Sequence, residues 1–228
     1  MDEDWHRLAD TWETWARRDG QFAILSSPEV RSWDRERFMA HTWEADHAIL
    51  LATKAGFPTR GQALDFGCGV GRLTQRLAQS FDHVVGLDIS PTMIEQADAL
   101  NQHAERCEYV CGRLDRFEDE SFDYVQAVYV IQHIPASLQA ATMRDLVRVL
   151  KRDGVLVVNV HSGWPGWRGW VQRYAPASVA NWTWRRRFPD MPRIEMNPIS
   201  PAQVDGIIAP DGRVAGRDAD WYVIGRNA

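Results

Sequence analysis

Apolar and polar positions alternate in blocks through the middle of the chain, where short apolar runs are followed by segments of helical spacing. The runs predict five strands, at 62–66, 83–89, 107–111, 122–130 and 155–160. The intervening segments predict helices over 71–79, from Pro91 onward, and from Pro135 to Leu150. The fifth run, VLVVNV, is apolar without interruption, as expected of a strand that is buried on both faces. This alternation predicts a parallel sheet with helices on both sides.

The two flanks have a different pattern. Trp5, Leu8, Trp12 and Trp15 recur at helical spacing, which predicts one apolar face of an N-terminal helix. Ser200-Pro201 is typical of a helix start, and the residues after it predict a short helix and then, over 212–226, a hairpin-like pair of strands. All eleven tryptophans lie outside the central block of strands and helices. The flanks are therefore expected to serve a different purpose from the sheet.

Composition narrows the classes of function. The net charge of -5 gives no general attraction to nucleic acid or to an anionic membrane. The acidic start, MDEDWHRLAD, is unlike a signal peptide, and no apolar run approaches the ~20 residues of a membrane span. An odd count of three cysteines predicts a reducing, cytoplasmic setting. Cys107 and Cys111 lack the further ligands that a zinc site needs, so we predict no metal.

The stretch LDFGCGVGRLT, residues 64–74, predicts a ligand site. Gly67, Gly69 and Gly71 stand between a strand and a helix start, where free N–H groups and the helix dipole attract an anionic or dipolar ligand. The dinucleotide fingerprint needs glycine at the sixth place, which is Arg72 here, and the Gly-Lys-Ser/Thr ending of an ATP loop is absent. The loop therefore fits a nucleoside without a pyrophosphate better than NAD or ATP.

Asp88 is the second element of this site. It ends the second strand, where an acid can accept both hydroxyls of a ribose, although an acid here can also cap the helix that starts at Ser90. Met93, one turn further on, either lies against a purine or belongs to the core. Residues 112–115, after the third strand, are expected to edge the adenine.

Residues 60–160 resemble the class I S-adenosylmethionine-dependent methyltransferases. LDFGCGVGRLT matches the family's first motif, VVGLDIS its acidic ribose motif, SFDYVQAVYVIQHI the strand that ends near the methionine moiety, and LVRVLKRDGVLVV its late helix–strand segment. The resemblance implies an α/β, doubly wound, seven-stranded and mostly parallel sheet with an antiparallel last strand. We accordingly expect an N-terminal helical cap over 1–58 and a Rossmann-like cofactor-binding domain over 59–228, with a Trp/Arg-rich substrate lid inserted at 161–199.

The resemblance also implies which residues bind S-adenosylmethionine, whose demethylated product is S-adenosylhomocysteine. They are Asp65, Gly67, Cys68, Gly69, Arg72, Asp88, Ile89, Met93, Arg113, Leu114 and Val128. Asp65, Gly67 and Gly69 would surround the methionine end, where Arg72 would reach the carboxylate and Val128 would turn a carbonyl to the ammonium group.

The adenosine end is implied in the same way. Asp88 would take the ribose, Ile89 and Met93 would line the adenine, and Leu114 would offer its backbone to the ring. The acid often found at the adenine edge is replaced here by Arg113. Asp115 then either substitutes for that acid or is simply solvated.

Two histidines are candidate catalytic residues. His133 follows the fourth strand and His161 ends the fifth, so both are expected near the mouth of the pocket. An imidazole can accept a proton at neutral pH. Related sequences carry the first histidine while acting on different substrates, so a role outside catalysis stays open. Tyr129 is assigned to the core.

The predicted function is methyl transfer to a small-molecule acceptor by in-line attack of an oxygen or nitrogen nucleophile. Tryptophans of the lid would exclude water and its arginines would meet an acidic or aromatic acceptor, or both would simply pack the flanks on the core. The alternatives are an RNA or protein methyltransferase, a non-catalytic module that binds S-adenosylmethionine, and an NAD oxidoreductase. The acidic total and the lack of an RNA-binding module argue against nucleic acid.

Overall fold

The computed structural model describes residues 2–25, 33–163, 181–182, 184–186 and 188–227. Its strands are β1 (Gln62–Phe66), β2 (His83–Asp88), β3 (Cys107–Cys111), β4 (Phe122–Ala127), β5 (Leu150–Asn159), β6 (Gly212–Asp218) and β7 (Trp221–Arg226). Its helices are α1 (Asp2–Ile24), α2 (Arg35–Ala40), α3 (Trp43–Lys54), α4 (Arg72–Leu77), α5 (Pro91–Leu100), α6 (Ala136–Arg148) and α7 (Pro201–Ile208). Two single 3-10 turns, Leu114–Arg116 and Ile131–His133, follow β3 and β4.

The seven strands form one sheet in the order β3-β2-β1-β4-β5-β7-β6. Strands β1 to β5 pair in parallel, while β7 runs antiparallel to both of its neighbours. This confirms the predicted mostly parallel sheet with an antiparallel last strand. The strand order reverses beside β1, and at such a switch point the carboxyl ends of neighbouring strands open a crevice for ligands.

Alternate residues along each strand pack on opposite faces of the sheet. Leu64 of β1 packs with α6 and α7, whereas Ala63 packs with α3 and α4 on the other face. Both faces are buried, because a parallel sheet is covered by helices on each side. The predicted helix starts at Ser90 and Ser200 are confirmed: the Ser90 hydroxyl accepts from Met93 N, and Ser200 forms a capping box with Gln203.

Several predicted boundaries were wrong. The fourth strand ends at Ala127 rather than at residue 130, because the chain turns there and Tyr129 takes a positive φ of 59°. The assignment of Tyr129 to the core was also wrong, since its side chain is 37% exposed. The fifth strand begins at Leu150, which pairs with Phe122 across a shift in register.

Helix α1 carries the predicted tryptophan face and breaks at Asp19, where the backbone is extended. Two residues of this helix, Trp15 and Phe22, form an aromatic cluster with Trp184 and Phe188. The Trp15 ring contacts the other three rings. The Trp15 indole N–H also donates to the Pro192 carbonyl at 3.0 Å. This contact joins α1 to the end of the Trp/Arg-rich segment, whose residues 164–180, 183 and 187 lie outside the described residues.

None of the described helices is long and apolar enough to cross a membrane. Within the described ranges, no three His, Cys, Asp or Glu side chains come together as they would around a metal ion.

Candidate active site

A cavity opens at the carboxyl ends of β1, β2 and β4, under α1. The space within it is about 1040 Å³, a volume that includes the open solvent at its mouth. The described residues that line it are Trp5, Leu8, Trp12, Ala23, Ile24, Asp65, Phe66, Gly67, Cys68, Gly69, Arg72, Leu73, Leu87, Asp88, Ile89, Met93, Gly112, Arg113, Val128, Tyr129, Val130, His133 and Ile134. The cavity thus brings together all but two of the predicted site residues, Leu114 and His161.

The glycine loop forms the floor of the cavity. The N–H groups of Gly67 and Cys68 donate to the Leu87 carbonyl at 2.7 and 3.1 Å, which ties the loop to the end of β2. Gly69 has a φ of 54°, and a Cβ there would collide with Ile24 at the end of α1. Glycine is required at this position because the residue has a left-handed backbone conformation and because α1 leaves no room for a side chain.

Asp88 lies next to the glycine loop, and both of its carboxylate oxygens accept hydrogen bonds from the backbone. One accepts from the Gly69 N–H and the other from the Ser90 N–H, each at 2.9 Å. Burial raises the pKa of Asp88 and these hydrogen bonds oppose the rise. A carboxylate offers about four acceptor positions, so lone pairs remain for a ligand. The N-cap of α5 is Ser90 itself, so Asp88 is not the capping residue.

Asp65 lies deeper, and its oxygens are also engaged. They accept from the Thr74 hydroxyl at 2.6 Å and from the Gln126 amide at 2.9 Å. Burial raises the pKa of Asp65, against the hydrogen bonds from Thr74 and Gln126 and the nearby charge of Arg72. Its contacts join β1, β4 and the first turn of α4, so this acid fixes the floor on which the loop rests.

Arg72 is buried beside the loop and pairs with a carboxylate from α3. Its Nη1 donates to Glu44 at 3.0 Å and also to the His41 carbonyl, and its Nη2 lies 3.4 Å from Glu44. Both side chains are almost fully buried, with exposures of 3% and 1%. Within the described part of the chain, no atom accepts a hydrogen bond from the buried Nε. One N–H of Arg72 is therefore without an acceptor among the described residues.

The side of the cavity next to Gly112 carries an ion pair that was not predicted from the sequence. Arg113 donates to Asp115 at 2.8 Å, and its guanidinium lies 5.7 Å from the Trp5 ring. Asp115 is exposed and is not among the described lining residues, so of its two predicted roles the geometry favours the solvated one. Leu114 is buried beneath, where its carbonyl accepts from Arg148 at 3.0 Å. Met93 is 2% exposed; it packs in the core and also lines the cavity.

His133 faces the cavity from the turn after β4. Its Nδ1 lies 2.9 Å from the Glu195 carbonyl, and the Trp12 ring meets it edge-on at 5.4 Å. Burial lowers the pKa of His133, the hydrogen bond to Glu195 raises it, and nearby His161 lowers it further, with a net decrease. His161 is not among the described residues that line the cavity; its carbonyl accepts from the Ile199 N–H at 3.0 Å.

Several lining residues could be predicted from the sequence only in part or not at all. The helical spacing of Trp5, Leu8 and Trp12 indicated an apolar face, but not that this face covers the cavity. The positive φ of Tyr129 has no signature in a Val-Tyr-Val stretch. The one hint in the sequence is that the alternation of inward and outward residues expected of a strand ends after Ala127.

Glu13 is one of the residues that hold α1 over the cavity. Its carboxylate accepts from the Ser90 and Thr92 hydroxyls at 2.7 and 2.6 Å and from the Thr92 N–H at 3.1 Å. Burial alone would raise its pKa, but these hydrogen bonds and one from Arg17 lower it to about 2. The acid therefore binds the N-terminal turn of α5, next to Asp88, where negative charge is favoured.

Residues 64–158 match the family model described as "Methyltransferase domain". Demethylmenaquinone methyltransferase of Tropheryma whipplei is 31% identical over 134 residues, which are 57% of this chain and 54% of that protein. The 2-methyl-6-phytyl-1,4-hydroquinone methyltransferase of Synechocystis is 33% identical over 104 residues, or 44% of this chain and 32% of that protein. The chain thus spans about half the length, or less, of these relatives.

Solved structures show the same fold. Magnesium protoporphyrin IX methyltransferase of Synechocystis PCC 6803, crystallised with bound SAH, superposes with a TM-score of 0.64 at 16% identity, covering 97% of this chain and 96% of its own. The structural match extends the fold well beyond the 95 or so residues of the sequence family model. Residues 64–158 therefore match a methyltransferase domain, in agreement with the resemblance carried by the four motifs, and the solved structures show the same fold over almost the whole chain.

Proposed function

We propose that this protein transfers a methyl group from S-adenosylmethionine to a small-molecule acceptor, by in-line attack of an oxygen or nitrogen nucleophile. The observation that carries the proposal is the junction of Asp88 with the glycine loop. A carboxylate bonded to the Gly69 N–H and open to the cavity offers acceptors to a ribose, beside a loop that can approach a ligand closely. No pyrophosphate fingerprint accompanies it.

The lining residues fit the three parts of this cofactor. Asp88 would bind the ribose hydroxyls, and Ile89 with Met93 would contact the adenine. At the other end, the buried Nε of Arg72 has a hydrogen to donate to the methionine carboxylate. Val128 lies at the turn after β4, where a backbone carbonyl can meet the ammonium group.

When bound, the cofactor supplies an electrophilic methyl group. The protein's own contribution is to hold the acceptor in line with it, and such alignment is worth up to ~7–11 kcal/mol of the barrier in favourable cases. His133 lines the same cavity and is the candidate proton acceptor for a hydroxyl or amine nucleophile. His161 would contribute through its effect on the pKa of His133 and not by contact with the acceptor.

The acceptor is proposed to be aromatic rather than acidic. The mouth of the cavity carries the rings of Trp5, Trp12 and His133, which favour a flat partner. The nearby guanidinium of Arg113 is already paired with Asp115. The relatives are named for demethylmenaquinone and a phytyl hydroquinone, which are ring compounds of this kind. Three cysteines without a disulfide fit a reducing, cytoplasmic setting.

Calorimetry tests the cofactor. We expect S-adenosylhomocysteine to bind the wild-type protein and NADH not to bind, and Asp88→Ala to lose S-adenosylhomocysteine binding by about 100-fold or more, since it removes a charged acceptor. Asp98→Ala, an exposed acid on α5, is the matched control. Unchanged affinity in Asp88→Ala removes this residue from the ribose.

A mass-spectrometric screen tests the reaction. The protein is incubated with S-adenosylmethionine labelled in the methyl group and with pools of small aromatic hydroxyl and amino compounds, RNA and protein. We expect the label on a small aromatic compound. Label on RNA or protein instead, or binding of the cofactor without transfer to any pool, contradicts the proposal.

A further inference from the structure

His133 is held by the backbone of a distant segment, which has consequences for its protonation. A carbonyl oxygen only accepts hydrogen bonds, so the contact from Nδ1 to Glu195 O at 2.9 Å requires the proton to be on Nδ1. In the neutral ring, Nε2 then carries the lone pair. Nε2 lies across the ring from Glu195, and the ring lines the cavity. The tautomer that can accept a proton is thus set by one carbonyl.

That carbonyl belongs to residues 195–199, which we call the strap. The strap lies along the turn that carries His133, and Asn197 binds it on both sides of the histidine. The Asn197 backbone N–H donates to the Gln132 carbonyl at 2.6 Å, and its side-chain amide donates to the Ile134 carbonyl at 3.2 Å. Gln132 and Ile134 are the two chain neighbours of His133, so the strap is registered to the turn at the histidine itself.

Buried contacts fix the strap from the other side. The Gln139 side chain, 5% exposed, donates both to the Asn197 carbonyl at 2.8 Å and to the Ile131 carbonyl at 3.0 Å. Further along, the Ile199 N–H donates to the His161 carbonyl at 3.0 Å. A shift of the strap by about 1 Å would therefore break hydrogen bonds on two elements at once.

We propose that Asn197 is a positioning residue, which holds the strap so that Glu195 O keeps His133 in the Nδ1–H tautomer with Nε2 ready to accept a proton. The proposal rests on the function proposed above. In the step it serves, the acceptor's O–H or N–H proton passes to Nε2 while an electron pair of that atom forms the bond to the methyl carbon. The electron pair of the broken carbon–sulfur bond stays on sulfur, and the protonated His133 ring is then an imidazolium.

Nitrogen-15 NMR of the histidine rings tests the proposal without an acceptor, because the two tautomers differ in their ring-nitrogen shifts. At neutral pH we expect His133 in the wild-type protein to be the Nδ1–H form. Asn197→Ala should mix the two tautomers, with about a tenfold or larger change in their ratio. Asn197→Asp has the same size but no amide donor toward Ile134, and it gives the same test if the alanine variant does not fold.

Glu195→Ala is the matched control, because it keeps the backbone carbonyl and removes only an exposed side chain. It should leave the His133 signals in place. An Nδ1–H tautomer that survives in both Asn197 variants, or an Nε2–H tautomer in the wild type, overturns the proposal. Titration of S-adenosylhomocysteine into the same samples separates this proposal from the proposed function. If the wild-type protein does not bind it, the methyltransferase function is refuted, whereas the tautomer of His133 reports on the strap alone.

Discussion

The floor of the cavity and its cover are built in different ways. The floor is a strand, a turn and a helix within residues 64–74, and its link to Asp88 spans 19 positions of the chain. The cover is held by contacts between distant parts: Glu13 reaches Ser90 across 77 positions, and Trp15 reaches Pro192 across 177. A cofactor site can therefore be encoded in one short motif, whereas the acceptor side depends on how the flanks pack.

The largest expected effect comes from the buried pair that joins α3 to the floor. Glu44→Ala removes the carboxylate of α3 and leaves the guanidinium of Arg72 buried without a counter-charge. Breaking such a pair costs about 3–5 kcal/mol. We expect a loss of this size in the free energy of unfolding, measured by urea denaturation.

The double variant Glu44→Leu/Arg72→Met is the control for this prediction. It removes both charges and fills the space with apolar atoms, so most of the lost stability should return. If Glu44→Ala is as stable as the wild type, the pair does not stabilise the contact of α3 with the floor. If the double variant is no better than the single one, the loss arises from packing rather than from the unpaired charge.

The contact between Glu13 and α5 is the next in size. Hydrogen bonds to a charged group contribute about 1.5–3 kcal/mol, and Glu13→Gln weakens three of them at the start of α5. We expect a loss of unfolding free energy at the lower end of that range. Glu3→Gln removes the same charge from an exposed position on the same helix and should have almost no effect.

The effect of Glu13 depends on pH in a defined direction. Its pKa in the folded protein is about 2, below the ordinary value of 4.5. A lowered pKa stabilises the fold above the unfolded value, and this stabilisation is lost as the pH falls through the folded value. The difference between wild type and Glu13→Gln should be constant above pH ~6 and shrink between pH 4.5 and about 2. A constant difference over that window contradicts this role.

The floor could be predicted from the sequence because its determinants are local. The glycine loop, the acid at the end of the next strand and the Ser90-Pro91 helix start are each set by neighbouring residues of the chain, and the structure brings Gly67, Gly69 and Asp88 to one cavity. Arg72 shows the limit. Its position was predicted, but its pairing with Glu44 depends on where α3 packs, and no local pattern carries that information.

The cover could be predicted only as a pattern. Spacing identified the apolar face of α1, while the division of its tryptophans between cavity and core depends on contacts with residues 184–192. Likewise, His133 was a candidate from its place after β4, but the carbonyl that orients it comes from residue 195. The lid predicted over 161–199 stays a prediction, since its residues 164–180 lie outside those described.

Trp12 tests how far the cover controls the chemistry beneath it. Its indole meets the His133 ring edge-on, a contact worth about 0.5–1.5 kcal/mol. Trp12→Leu should cost this much stability and also admit water to the imidazole. Because burial lowers the pKa of His133, the variant should raise it toward the ordinary value, as followed by the proton NMR titration of the ring. Trp43→Leu, on the half-exposed indole beside His47, should leave that titration unchanged.

The smallest expected effect is at Asp115, and it sharpens the boundary of the floor. Asp115 and Arg113 are 61% and 40% exposed, and such surface pairs contribute about 0–1 kcal/mol. Asp115→Asn keeps the size and removes the charge, so we expect the affinity for S-adenosylhomocysteine to change by about twofold or less. Calorimetry of this variant and of Asp88→Ala under the same conditions compares their affinities for S-adenosylhomocysteine directly. A tenfold loss in Asp115→Asn would instead mean that this acid turns inward to bind the adenine amino group, because only a buried charged contact is worth that much. The floor would then extend past β3, and Arg113 would have to leave its partner whenever the cofactor binds.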